Sequence, residues 1–428
     1  MRIRIYPPDK LRLDAQIPAS KSISNRVLVI RALAGRGKDR AESEVRNLSD
    51  CDDTLVMERA LREMPDVIDI KAAGTAMRFL TAYLSVTPGT RAITGTERMR
   101  HRPIGILVDA LRRLGAEIEY TATEGFPPLR VTGHNLRGGT LELPANVSSQ
   151  YISALLMIAP QMEQGLTLRL AGDIVSRPYI DMTLAIMGSF GARAGWADDH
   201  TLKVNPVPYT PTPYTVENDW SASSYWYEMM ALTRDTHPTV TLRGLFSKSL
   251  QGDAAISGIF LPLGIATEFL SNEDGTGGIR LRRRGTPCRH YEHDFTSQPD
   301  LAQTMVVTCA MMGVTFRFTG LQSLRIKETD RLSALCTELR KLGIVLREEH
   351  GDTLMWDGER CPAQEPAVMD TYEDHRMAMS LAPACMVTGC LEMNDPQVVS
   401  KSYPHFWQEL KGFRIDEADG EGGRGCSI

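Results

Sequence analysis

Several short stretches of this chain combine hydroxyls, cations and carboxylates at spacings that could do chemistry. In Pro18-Ala19-Ser20-Lys21-Ser22-Ile23-Ser24-Asn25-Arg26, hydroxyls and two cations open an apolar helical run from Val27 to Leu33. A helix start offers free backbone N–H groups, and with cations beside them it is a natural site for phosphate. The spacing is not that of a P-loop, because no Gly-x-x-x-x-Gly-Lys is present. In Ala72-Ala73-Gly74-Thr75-Ala76-Met77-Arg78, a glycine stands before a helix, where a ligand can approach the backbone closely. Arg98-Met99-Arg100-His101-Arg102-Pro103-Ile104-Gly105 is a basic loop before another helix. Ser148-Ser149-Gln150-Tyr151 opens an apolar helix running to Ala159. Its two hydroxyls and amide suit a sugar or carboxylate, and one serine alone would suffice as a helix cap. Ser176-Arg177-Pro178-Tyr179 has the same character, with Pro178 suited to a first helical turn.

Three more motifs follow. Five charges fall within the seven residues Arg325 to Arg331, again before a helix. Lys327 and Arg331 are four apart and would share one helix face. An anion clamp has no use for Glu328, whereas an acid–base site does. Glu373-Asp374-His375-Arg376 sets a histidine and an arginine beside two carboxylates, and Lys401 ends the last strand in Val399-Ser400-Lys401-Ser402. Lys21, Arg26, Arg102, Lys327, Arg331, Arg376 and Lys401 carry far more positive charge than one monoanion needs. Substrates with several phosphates and carboxylates would use it.

The elements that must position these residues repeat. Strand-like segments end at Gly95, Gly172, Gly244 and Gly320, at steps of 77, 72 and 76 residues. A further step of 75 reaches Asp395, and a backward step of only 48 reaches Asn47. Six modules result, the first shortened by about 25 residues, and a period this long denotes a repeated α/β subdomain. After each strand a helix is expected: Pro103–Leu114, Tyr179–Phe190, Asp253–Leu263, Asp330–Leu342 and Tyr403–Leu410. Four prolines in the eight residues Pro206–Pro213 suggest a stiff connector and a domain boundary, splitting the modules three and three. Residues 416–428, rich in glycine and charge, read as a flexible tail.

Composition sets outer limits. With 428 residues, 42% hydrophobic and 24% charged, the chain is that of a folded protein of two or three domains rather than a disordered one. A net charge of −5 argues against a general nucleic-acid partner. No apolar run approaches the ~18 residues that span a bilayer, and the N-terminal stretch lacks the apolar core of a secretory signal. Eight cysteines without a Cys-x-x-Cys pair point to reduced structural thiols, a cytoplasmic setting and no metal site.

Taken together, Ser20–Arg26, Ala73–Arg78, Arg102–Gly105, Ser148–Gln150, Lys327–Leu332 and Asp374–Met379 resemble, in order and across nearly the whole chain, the 5-enolpyruvylshikimate-3-phosphate synthase family. The resemblance implies an α/β (α+β) enolpyruvyl transferase fold: two similar domains, each of three βαβαββ modules, here at residues 20–216 and at 1–19 plus 217–415. It also implies transfer of the enolpyruvyl group of phosphoenolpyruvate to the 5-hydroxyl of shikimate 3-phosphate, with phosphate released, no cofactor, and a monomeric enzyme. By the same resemblance, Lys21, Ser22, Arg26, Ser148, Ser149 and Ser176 would meet the shikimate phosphate. Gln150, Asp300, Ser323 and Lys327 would hold its ring and hydroxyls. Phosphoenolpyruvate would lie against Lys21, Gly74, Arg102, Gln150, Arg331, Arg376 and Lys401. Asp300 would be the base and Glu328 the proton donor to the methylene carbon, while Lys327 helps to place both protons and Lys21 bridges the two substrates. Glu217 and Asp219 resemble the acidic segment where the chain passes to the second domain. The chain departs from the family pattern at Ala19, Lys71, Ala72, Phe79 and Ser323. Rival readings are a UDP-N-acetylglucosamine enolpyruvyl transferase, whose mobile loop usually carries a cysteine absent from Arg98–Arg102, and a non-catalytic anion-binding descendant. An RNA-processing enzyme of related fold is more distant still.

Overall fold

Period-two patterning builds short strands of which one face is buried. Arg2–Tyr6 turns Ile3 and Ile5 inward, and Arg12–Gln16 turns Leu13 and Ala15 inward. The computed structural model describes residues 1–35, 44–271 and 277–418. Within them the strands form five four-stranded sheets and one two-stranded sheet.

The four-stranded sheets share one pattern: a parallel pair, then two antiparallel neighbours. Val67–Asp69 lies parallel to Gly89–Thr94, followed by Leu129–Gly133 and Glu117–Tyr120. Gly139–Pro144, Leu166–Ala171, Thr201–Val204 and Ala194–Trp196 repeat it. So do Arg12–Gln16, Thr239–Arg243, Gly277–Arg283 and Ile265–Ser271. His290–Asp294, Thr315–Thr319, Thr353–Trp356 and Arg347–Glu349 form the fourth, and Val368–Met369, Leu391–Asn394, Arg2–Tyr6 and Arg414–Glu417 the fifth. The N-terminal strands thus complete modules whose other strands come from the distant half of the sequence. The two-stranded sheet, Val45–Arg46 parallel to Tyr214–Thr215, marks the shortened first module. Part of the segment assigned to it from the sequence, residues 41–43, lies outside the described residues.

The chain divides into two units. The first comprises Pro18–Asn218 and Leu250–Gly252, and the second Met1–Ile17, Asp219–Ser249 and Asp253–Ile428. The excursion at residues 250–252 had no counterpart in the sequence reading. Each unit has its own core. In the first, the Lys21–Ala34 helix packs on the helices Gly74–Ser85, Ser149–Ile158 and Arg177–Ser189. In the second, Ala302–Met312 packs on Trp220–Leu232 and on His375–Leu381. Apart from Ala231 every residue of Trp220–Leu232 is buried, as suits a helix apolar on all sides.

Four local expectations need correction. The proline-rich segment is no boundary: it lies inside the first unit, where Tyr209 is buried and donates to Met157 O at 2.9 Å and Thr210 N donates to Phe190 O at 2.8 Å. Asp253–Leu263 forms short turns around the four-residue helix Ile256–Ile259, because Gly258 and Pro262 interrupt a longer one. Tyr403–Leu410 is helical only over Phe406–Glu409, after Pro404. Residues 416 and 417 are not tail but strand, paired with Arg4 and Ile3, and residues 419–428 lie outside the described residues.

Candidate active site

The candidate residues gather at helix starts, and capping explains why the chain begins its helices there. Ser20 accepts from Ile23 N, Ser148 from Gln150 N, Asp219 from Ser221 N, Asp330 from Leu332 N and Ser333 N, and Asp374 from Arg376 N. Each cap places the next residues in the first turn of its helix, where Lys21, Ser149, Gln150, Arg331 and Arg376 stand.

In the first unit, Lys21 is the first residue of its helix, and its Nζ lies 3.3 Å from Asp53 Oδ2. Arg26, one turn on, is buried. Its Nε donates to Thr183 Oγ1 at 2.7 Å, Nη1 to Ser22 O at 2.8 Å and Nη2 to Ser153 Oγ at 3.1 Å. Its guanidinium also lies 5.3 Å above the Phe79 ring, one of the residues that depart from the family pattern. Burial pulls the Arg26 pKa down to about 10, so it keeps its charge at neutral pH. Gly74 begins its helix, and a Cβ there would stand 2.5 Å from Arg102 Nη1, so glycine is what admits the arginine. Arg78 holds the same turn, donating to Gly74 O at 2.9 Å and to Pro103 O at 3.3 Å. Gln150 Nε2 donates to Thr75 Oγ1 at 3.2 Å, joining two helix starts. Ser176 is buried with φ +58°, a left-handed conformation that costs a residue other than glycine free energy and is met most often at functional sites.

In the second unit the candidates form one continuous network. Asp300, in the turn Pro299–Leu301, faces Lys327 Nζ at 3.4 Å, Arg331 Nη1 at 3.4 Å and Arg376 Nη2 at 3.0 Å. Arg376 Nη1 also donates to Asp300 O at 3.3 Å. Glu328 is held between Arg331 Nη2 at 3.0 Å and Lys401 Nζ at 3.1 Å. Arg331 is further clasped by Asp374, Nε to Oδ2 at 2.7 Å and Nη2 to Oδ1 at 3.1 Å. Four cations thus meet three carboxylates and leave one net positive charge. Burial pushes the Asp300 carboxyl up, but Arg376, Lys327 and Arg331 together hold it well below the usual carboxylate range. Burial likewise opposes the charge on Arg331, and Asp374, Glu328 and Asp300 more than restore it.

Lys327, Asp300, Glu328, Arg331, Arg376 and Lys401 are therefore joined by direct contacts. Within the first unit, Gly74 meets Arg102, Arg26 meets Ser22 through its backbone, and Gln150 meets Thr75. Ser323 lies in the turn Gln322–Ile326, and its buried Oγ has no hydrogen-bond partner among the described residues. The sequence reading missed Asp53 as partner of Lys21, Asp374 as the clasp on Arg331, and Asp253. Asp374 lay inside a motif already singled out, and Asp253 stood at the start of the expected helix Asp253–Leu263. Nothing local marked Asp53. Among the described residues, no group of three or more His, Cys, Asp or Glu is placed to hold a metal ion, and no helix is long and apolar enough to cross a membrane.

Paired units of repeated βαβαββ modules, with cations and carboxylates at capped helix starts, define an enolpyruvyl transferase architecture. Solved structures of that architecture superpose on the chain: EPSP synthase from Acinetobacter baumannii (TM-score 0.74, 19% identity, 97% of this chain and 100% of that one) and the enolpyruvyl transferase NikO from Streptomyces tendae (TM-score 0.71, 15% identity, 98% and 99%). The chain belongs to the EPSP synthase (3-phosphoshikimate 1-carboxyvinyltransferase) family, whose model matches residues 5–66 and 63–410. A 3-phosphoshikimate 1-carboxyvinyltransferase of Bacteroides fragilis is 55% identical over 417 residues, covering 97% of this chain and 99% of the relative. One of Aliivibrio fischeri is 34% identical over 437 residues, covering 96% and 98%. The chain is accordingly a transferase of the shikimate pathway, which leads to the aromatic amino acids.

Proposed function

We propose that this chain transfers the enolpyruvyl group of phosphoenolpyruvate to the 5-hydroxyl of shikimate 3-phosphate through a tetrahedral ketal phosphate, and that its two groups of residues divide the work. The observation that carries the division is the crowding of Lys327, Arg331 and Arg376 around Asp300, with Glu328 between Arg331 and Lys401. A carboxylate gripped by three cations is a poor base. Phosphoenolpyruvate brings a carboxylate and a phosphate, which draw Arg331, Arg376 and Lys401 toward themselves. Asp300 and Glu328 then lose cationic partners, and the proton affinity of both rises as substrate binds. Asp300 can take the proton of the 5-hydroxyl, and Glu328 can deliver one to the methylene carbon, with Lys327 beside Asp300 to steady the charge. The intermediate then returns a methyl proton to Glu328, which restores the carbon–carbon double bond, and expels phosphate, which takes the proton held by Asp300.

The first unit offers the complementary chemistry. Lys21, Ser22, Ser148, Ser149 and Ser176 present a cation, hydroxyls and helix N-termini to the phosphate of shikimate 3-phosphate. Arg26 adds charge from within, Gln150 bonds to the ring, and Gly74 with Arg102 receives phosphoenolpyruvate together with Lys21 and Gln150. One chain carries all these residues, which supports a monomer, and its seven described cysteines are all free, which supports a cytoplasmic enzyme.

The test is release of phosphate from phosphoenolpyruvate by the purified protein with and without shikimate 3-phosphate. Release only when shikimate 3-phosphate is present is expected. Release that depends instead on UDP-N-acetylglucosamine, or none with either acceptor, would overturn the reading. Sedimentation at micromolar concentration should give a single species of one chain.

A further inference from the structure

Behind the Asp300 network lies a carboxyl that the proposed chemistry does not use. Asp253 follows Gly252 where the chain re-enters the second unit, and it is 2% exposed. Its Oδ2 accepts a short hydrogen bond from Ser221 Oγ, in the first turn of the Trp220–Leu232 helix. Its Oδ1 is buried and has no hydrogen-bond partner among the described residues. Three charged groups act on it from neighbouring elements: Asp219, which caps the Trp220–Leu232 helix, Asp300 in the turn before Ala302–Met312, and Arg376 on His375–Leu381. Arg376 is already committed to Asp300 through two hydrogen bonds.

A buried carboxyl with one oxygen unpartnered and two carboxylates nearby resists ionisation. Burial, then Asp300, raise its pKa to about 7, while Ser221 and Arg376 offset only part of that. The group would therefore change charge within the working pH range, close to the arginine assigned above to phosphoenolpyruvate.

We propose that Asp253 is a positioning residue for Arg376: neutral, it leaves the arginine to Asp300 and the incoming substrate; ionised, it holds the arginine's charge to itself and repels the anionic substrate. The consequence is an affinity for phosphoenolpyruvate that falls as pH rises, through KM rather than kcat. Asp253 touches no reacting atom in this arrangement and acts through Arg376. The inference rests on the assignment of Arg376 to phosphoenolpyruvate.

Steady-state kinetics from pH 6 to 9 tests it. In the parent enzyme, KM for phosphoenolpyruvate should climb roughly tenfold or more across the transition, since at an effective dielectric of ~20 one added charge within about 12 Å is worth a factor of ten or more. Asp253→Asn keeps the Ser221 hydrogen bond and cannot ionise, so its KM should stay near the low-pH value while kcat is little changed. Ser221→Ala removes a hydrogen bond that favours the ionised form, so the climb should move to higher pH; this variant decides the matter if Asp253→Asn does not fold. A KM profile for Asp253→Asn parallel to that of the parent, or an unshifted climb in Ser221→Ala, overturns the proposal. Arg376→Ala separates the two failures. If it leaves KM for phosphoenolpyruvate unchanged, the assignment of Arg376 itself is wrong; if it raises KM while the Asp253→Asn profile stays parental, only the role of Asp253 falls.

Discussion

Arg331 and Asp374 form a two-pronged ion pair that is buried on both sides, with Arg331 1% and Asp374 0% exposed. The same Asp374 oxygen that accepts from Arg331 Nη2 also caps the His375–Leu381 helix through Arg376 N at 2.9 Å. One carboxylate therefore fixes the position of both arginines that face Asp300. Removing one partner of such a pair strands a buried charge, at a cost of about 3–5 kcal/mol. Asp374→Ala should lose stability on that scale in urea unfolding, and Asp374→Asn, which keeps the cap, should lose less. Equal stability of Asp374→Ala and the parent would show that the pair does not hold the site.

The acid–base assignment makes a separate prediction. Asp300→Asn and Glu328→Gln keep the size of each side chain and remove its proton chemistry. Each should lower kcat by about 100- to 10,000-fold. Titration calorimetry should still show shikimate 3-phosphate binding to Glu328→Gln, because Glu328 pairs with Arg331 and Lys401, which are assigned to phosphoenolpyruvate. Losses of no more than about threefold in both variants, far below the general acid–base range, would remove the roles given to these carboxylates.

Much of the site was legible because its residues cluster locally. Lys327, Glu328 and Arg331 are neighbours in sequence, so one turn before a helix brings them together whatever the rest of the fold does. The repeat was legible for a related reason: in each module a strand is followed at once by glycine, asparagine or aspartate, and the spacing of those residues survives without any tertiary knowledge. What stayed hidden was distant pairing. The joining of Asp300 to Arg376 spans 76 residues, and the completion of the last sheet by Arg2–Tyr6 spans almost the whole chain. The proline-rich segment misled because extended backbone is compatible with both a linker and a packed strand-to-strand connection. Only the burial of Tyr209 decides between them.

Lys71 offers a test of a family departure. It is one of the residues noted above as departing from the family pattern, and its φ is +54°, in the left-handed region. Its backbone is held there by Asp69 Oδ1, which accepts from Lys71 N at 2.9 Å, and by Thr96 N, which donates to Lys71 O at 3.0 Å. A residue other than glycine in this conformation costs about 1 kcal/mol or more, so the turn before Gly74 is strained in this protein. Lys71→Gly should raise the unfolding free energy by roughly that amount, less what glycine adds to the freedom of the unfolded chain. The exposed ion pair of Lys71 with Asp69 should matter little to the outcome. Thermal melting of the variant checks this, and a clear drop in Tm would show that the lysine side chain outweighs the strain.

Glu228 makes the last prediction, and its sign follows from its surroundings. It lies in the middle of the Trp220–Leu232 helix at 0% exposure, and neither carboxyl oxygen has a hydrogen-bond partner among the described residues. Burial pushes its carboxyl well above the ordinary range, so the folded protein keeps the proton where the unfolded chain releases it. A folded-state pKa raised in this way contributes stability that is complete below the unfolded value of ~4.5 and is lost as pH rises toward the folded one, by at most about 1.4 kcal/mol per pH unit. Asp253 titrates in the same sense, and Asp300 in the opposite one: its stabilisation is present above its unfolded value and is lost only in acid. Both remain in a Glu228→Gln variant, so the difference between variant and parent isolates Glu228. Glutamine has nearly the same shape and no proton to lose. In urea unfolding at pH 5, 6.5 and 8, the variant should gain on the parent steadily as pH rises. Parallel stability curves would mean that Glu228 is ionised in the folded state or that its charge is compensated there.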